Sequence, residues 1–103
     1  MIRHITLWNL KPFAAGNDKE TNYRIIKEKS LALAKEFGKM VSIEFGRNFR
    51  DSAQSYDMAQ ILTFETKEDL QEFLDFPAHK VMHEFAVEVR AERGSCDYVV
   101  ETE

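Results

Sequence analysis

The chain has 103 residues, of which 44% are hydrophobic and 31% charged, with only 4 glycines and 2 prolines; this describes one folded domain, residues 1–103, and excludes disorder. A formal net charge of −4 without any cluster of Lys and Arg argues against nucleic acid or an anionic membrane as partner. The single cysteine, Cys96, excludes an internal disulfide and a four-thiolate metal site, and the polar first ten residues suit neither a signal peptide nor a membrane span, so a cytoplasmic protein is expected.

In chain order, Ile2 to Leu10 alternates as a strand, with His4, Thr6 and Trp8 on one side and Ile5 and Leu7 on the other. Lys11-Pro12 and Gly16-Asn17 break that pattern. Asn17 followed by Glu20 has the spacing of a helix cap and its reciprocal acid, and Tyr23, Ile26, Ser30, Leu33 and Phe37 keep helical spacing up to a stop at Gly38. Met40 to Phe45 predicts a second strand, ended by Gly46-Arg47-Asn48. Tyr56 to Glu65 predicts a third, with Tyr56, Met58, Leu62 and Phe64 opposed to Ala59 and Ile61, and the two should form a hairpin.

Thr66 with Asp69 opens a short helix that ends near Asp75, because the residue before Pro77 is pushed out of helical geometry. Pro77 starts another, with Ala78, Met82, Phe85 and Val89 on one face, closed by Arg90, Arg93 and Gly94. Cys96, Tyr98 and Val100 then alternate in a last strand.

The order β-α-β-β-α-α-β predicts an α+β fold, a ferredoxin-like four-stranded antiparallel sheet with helices on one face. Both parities of the first three strands carry large apolar side chains, so both sheet faces need cover. Helices cover one. A second copy of the sheet is the economical cover for the other, which predicts a homodimer through the sheet face with a barrel-like interior.

The opening Ile2-Arg3-His4-Ile5-Thr6-Leu7, the turn Phe45-Gly46-Arg47-Asn48, the strand from Tyr56-Asp57 to Phe64 and the element Phe76-Pro77-Ala78-His79 together resemble the stress-responsive α/β-barrel (Dabb) domain family. The resemblance spans nearly the whole chain. It implies a dimeric α/β barrel with a pocket between helices and sheet in each subunit and, in the few characterised enzymes, cyclisation of a polyketide-like substrate; no cofactor is expected. His79 matches the family cyclase's catalytic base, and His4 matches a first-strand histidine of its pocket. Phe73 stands where the cyclase has a catalytic tyrosine, and Phe76 and Met58 stand where it has histidines. Phe73 has no hydroxyl to donate to a developing oxyanion, which counts against the same cyclisation by the same partnership.

The site residues are weighed against plainer roles. An imidazole suits proton transfer near neutral pH if a partner fixes its tautomer. For His79 that partner is expected to be Asp75 or His4, the alternative being a histidine that caps or packs the break at Pro77. His4 is a pocket candidate, although a lone strand histidine is more often a satisfied core residue. His79 and His83 have the spacing to share a metal on a helix face, yet no His-Glu-x-x-His pattern surrounds them, so no metal is expected and His83 is read as a surface residue. Trp8, Tyr23, Met58, Phe73, Phe76, Met82 and Phe85 are candidates to line an apolar pocket or simply to fill the core.

Three functions are compatible with this reading. The first is a small-molecule-binding dimer acting on an apolar carbonyl or polyketide-like compound with His79 as base. The others are a cofactor-free oxygenase of the antibiotic-monooxygenase type and a non-catalytic structural or regulatory dimer.

Overall fold

The computed structural model describes residues 1–101. The sequence folds as β1 (Ile2–Leu10), a small hairpin of β2 (Phe13–Ala14) and β3 (Asn17–Asp18), α1 (Lys19–Phe37), β4 (Ser42–Arg47), β5 (Met58–Phe64), α2 (Lys67–Asp75), α3 (Pro77–Val89) and β6 (Arg90–Val99). The main sheet is antiparallel in the order β4-β5-β1-β6, so the first and last strands of the chain are neighbours. No helix among the described residues is long and apolar enough to cross a membrane.

Local chemistry explains most boundaries. Gly38 ends α1 in the left-handed conformation, with φ of 77°, and returns its N–H to the Ala34 carbonyl. The Thr66 side chain caps α2 by accepting from the Asp69 N–H at 3.0 Å, and Pro77 opens α3 where its missing N–H costs nothing. Glu20 meets Arg24 as its spacing predicts, but makes a shorter pair of 2.8 Å with Arg47 of β4.

Four local readings need correction. The cap of α1 is Asp18, whose carboxylate accepts from Thr21 N–H at 2.8 Å, whereas Asn17 pairs with buried Asn22 at 3.2 Å. Asn22 in turn donates to the Ala14 carbonyl at 3.0 Å and so fastens the unpredicted hairpin onto α1. β4 is shifted to Ser42–Arg47, its register set by pairing with β5. β5 starts at Met58, and Tyr56 lies over Gly94, where an added Cβ would sit 3.2 Å from its hydroxyl oxygen. Arg90, Arg93 and Gly94 do not close α3; they belong to β6, which starts immediately after Val89.

Two layers result. Alternate residues of the sheet, Ile2, Trp8 and Leu10 on β1 with Met58, Leu62 and Phe64 on β5, are buried with Ile26, Leu33 and Phe37 of α1. Phe37, Phe64, Phe73 and Phe76 meet through ring centroids 5.3 to 6.2 Å apart, mostly edge to face, and lock α1 and α2 onto β5. On the opposite face Ile5, Leu7, Ala59 and Ile61 form a half-buried apolar strip, with Cys96 and Tyr98 beside it on β6.

Candidate functional site

The sheet's helix-facing side does not close completely. Between β1, β5, β6 and the helices lies a cavity of about 190 Å³ that includes both His4 and His79 in its lining. The alternation of β1 places His4, Thr6 and Trp8 along the floor, and Gln60 joins them from β5, where it pairs with Thr6. α3 supplies the roof. The break at Pro77 puts His79 in its first turn, above Phe73 of α2, and Met82 and Ala86 follow one helical face inward.

Both imidazoles, His4 buried and His79 half-buried, are held through Nδ1. His4, 7% exposed, hydrogen-bonds through Nδ1 to Asp97 of β6, its direct partner in strand register. A carboxylate only accepts, so His4 Nδ1 carries the proton and its Nε2 keeps a lone pair in the neutral ring. His79 Nδ1 lies 3.2 Å from the Leu74 carbonyl, another pure acceptor, and the same tautomer follows. Asp75, expected as the orienting group, bonds Gln71 instead, and His4 is committed to Asp97. The His79 ring packs against Phe73 with centroids 4.8 Å apart. Burial pushes the His79 pKa below its ordinary value, an effect opposed by the Leu74 carbonyl and reinforced by nearby His83, His4 and Arg93. His79 is therefore a neutral base near pH 7, and the same bond that orients it also ties α3 to the end of α2.

Of the predicted lining residues, Trp8, Phe73 and Met82 meet the two histidines in this cavity. Tyr23 and Met58 do not. They lie with Leu10 at a separate depression, where Arg47 stacks over the Tyr23 ring at 4.5 Å. Phe76 is drawn into the aromatic cluster through Phe37, and Phe85 packs against the core with Lys29 over its ring. Phe76 is the extended junction residue between α2 and α3, outside both helices, and neither it nor Phe85 lines the cavity. His83 is exposed but reaches the cavity rim, its ring centroid 6.3 Å from that of His79. No group of three or more metal-ligating side chains converges among the described residues.

The sequence reading missed Asp97, Gln60, Arg90 and Arg93. Asp97 is the polar residue beside the aromatic Tyr98 on the last strand, and only the β1–β6 register reveals its partner. Gln60 had a legible signal, since it is the one polar residue on the inward parity of β5 between Met58 and Leu62. The Trp8 Nε1 is buried without a hydrogen-bond partner.

A sequence profile described as the Stress Responsive A/B Barrel Domain matches residues 2–100. The chain belongs to that family. Solved structures agree on the fold. A hydroxynitrile lyase from Passiflora edulis superposes with a TM-score of 0.84 at 16% identity, covering 99% of this chain and 94% of that one. An Arabidopsis thaliana protein gives 0.81 at 23% identity over 100% and 98% of the two chains. A dimeric ferredoxin-like protein of unknown function from Thermobifida fusca gives 0.79 at 17% identity over 96% and 90%. The search of curated proteins found no match. The ferredoxin-like α+β fold is thus shared with these structures, one of which is described as a lyase and others as proteins of unknown function.

Proposed function

We propose that the protein is a homodimer that binds a small apolar carbonyl compound in the cavity of each subunit and moves a proton on it, with His79 as base and His4 beside it. The observation that carries this reading is that both imidazoles line one cavity and both are held by pure acceptors at Nδ1, which leaves Nε2 basic. A proton leaves the carbon next to the carbonyl for His79 Nε2, and the electron pair moves to oxygen as an enolate. Thr6 and Gln60 are buried on the floor and offer donors to that oxygen. Cyclisation would follow the same first step with the enolate carbon attacking a second carbonyl.

The dimer is supported by the apolar strip of Ile5, Leu7, Ala59 and Ile61 on the uncovered sheet face and by the dimeric state named for several structural relatives. A binding role without catalysis is the second reading, and Phe73 favours it, because a phenyl ring and not a phenol faces His79.

The test is exchange of α-protons for deuterium on a panel of small ketones and aryl ketones in D2O, followed by proton NMR. Exchange above the buffer rate that His79→Gln abolishes supports catalysis. Binding without exchange supports the second reading. Neither binding nor exchange across the panel overturns the proposal.

A further inference from the structure

β6 contains an irregularity with a chemical consequence. Trp8 faces Arg93, Asn9 faces Glu92 and Leu10 faces Arg90, so the two positions Asn9 and Leu10 on β1 are matched by three on β6, with a register shift between Asn9 and Leu10. In a regular strand, residues three apart point to opposite faces. The extra residue of this bulge turns both Arg90 and Arg93 to the side of the buried Trp8 and Leu10, and both line the cavity that holds His4 and His79.

The charge that lines that cavity is one-sided, with the Asp97 carboxylate outside the lining and engaged by His4. The chain has 18 acidic residues against 14 Lys and Arg, yet the lining contains these two guanidiniums and no carboxylate. Neither arginine makes a salt bridge among the described residues, although Glu88 and Glu92 are close in sequence. Arg90 is half-buried and Arg93 exposed, so both guanidiniums keep contact with solvent, and burial followed by the charge of Arg93 lowers the Arg90 pKa. Beyond the imidazoles, the rest of the lining combines neutral polar groups, Thr6, Ser30 and Gln60, with apolar side chains that include Leu33, Leu62, Phe73 and Met82.

We infer that the ligand is an organic carboxylate with an apolar body, its carboxylate held by Arg90 and Arg93 at one end and its carbon skeleton placed against His79 and Phe73. Guanidinium groups bind carboxylates through paired, charge-assisted hydrogen bonds. A cavity of about 150 Å³ is enough for benzene, so about 190 Å³ matches a ring with one small substituent, the size of benzoate. This inference rests on the binding reading above and adds to it the charge of the ligand and the group that reads it.

The experiment is a titration of the protein with benzoate, phenylacetate and cinnamate and with the three corresponding amides, followed by chemical shifts of the cavity residues at low salt. The carboxylates are expected to bind about tenfold or more tightly than their amides. The double variant R90Q/R93Q, checked for an unchanged spectrum outside the cavity, is expected to erase that preference while amide binding remains. Amides that bind as well as the acids, or a preference that survives R90Q/R93Q, would overturn the inference and leave the cavity reading intact. If neither series shifts the cavity residues, both fail. Shifts confined to exposed lysines would signify charge attraction without a site and would also overturn it.

Discussion

His4 and Asp97 are 93 positions apart in the sequence and joined by a hydrogen bond through Nδ1 across neighbouring strands. The bond settles which nitrogen of His4 is basic, and it exists only because β1 and β6 pair in one register. Asp97→Asn is expected to disturb the tautomer without removing the strand. An asparagine can donate to Nδ1 as well as accept from it, so long-range proton–nitrogen spectra should show His4 shifting away from the single Nδ1–H form. Any proton-transfer activity should fall by about tenfold or more, with little change in melting temperature.

The pH dependence of stability should carry the mark of His79. Its folded pKa is lowered, chiefly by burial, so the folded state resists a proton that the unfolded chain accepts near pH 6.5. The stability from neutral His79 is fully present above that unfolded value and is lost as the pH falls through the folded one. His79→Asn keeps a donor for the Leu74 carbonyl but cannot charge, and its melting temperature should fall less than the wild type's between neutral and mildly acidic pH. Parallel curves would show that His79 is not the group responsible.

Ala15 offers a test of the unpredicted hairpin. With φ of 52° at Ala15 and 78° at Gly16, both central residues of the β2–β3 turn are left-handed, which is the geometry that favours Asn-Gly. Ala15→Asn should therefore stabilise the protein by about 0.5–1 kcal/mol in urea denaturation. Destabilisation would contradict the turn.

What the sequence made legible was local. Thr66 and Asp69, Gly38 and Pro77 announce helix boundaries because caps and breaks depend on a few neighbouring residues. The alternation of β1 likewise placed His4 and Trp8 on one face. The errors occur where a contact outside the local pattern decides, most of them with a distant segment. Asn17 looked like a cap until Asn22 claimed its amide, and Tyr56 had the parity of the core strand until the loop carried it over Gly94. Arg90 and Arg93 resemble the basic end of a helix. Only the bulge opposite Leu10 makes them cavity residues, and a bulge between strands so far apart in sequence has no local signature. In the site itself, the two histidines and Phe73 were legible, but the partner that orients His4 was not.

The uncovered sheet face makes a further prediction. Ile61 lies in its apolar strip, half-buried and opposite Ile5. A charge there would be desolvated when a second sheet packs over it. Ile61→Asp should shift the solution mass from dimer to monomer at micromolar concentration, read by light scattering, while the far-ultraviolet spectrum is retained. A wild-type monomer under the same conditions would contradict the dimer.

The core, in contrast, should respond through packing alone. Phe64 is fully buried and meets both Phe37 and Phe73. Phe64→Ala should cost about 3–5 kcal/mol of unfolding free energy in urea. Phe49→Ala, at a position 92% exposed, should change it by less than about 0.5 kcal/mol.

The central claim is that His4 and His79 serve one binding cavity, and the most direct measurement follows the ring Cε1–H signals of both histidines while the protein is titrated with small aryl ketones and carboxylates. The account predicts that both signals move and saturate together with a single dissociation constant. A ligand that shifts one ring and leaves the other still, or a titration in which neither moves, would contradict it.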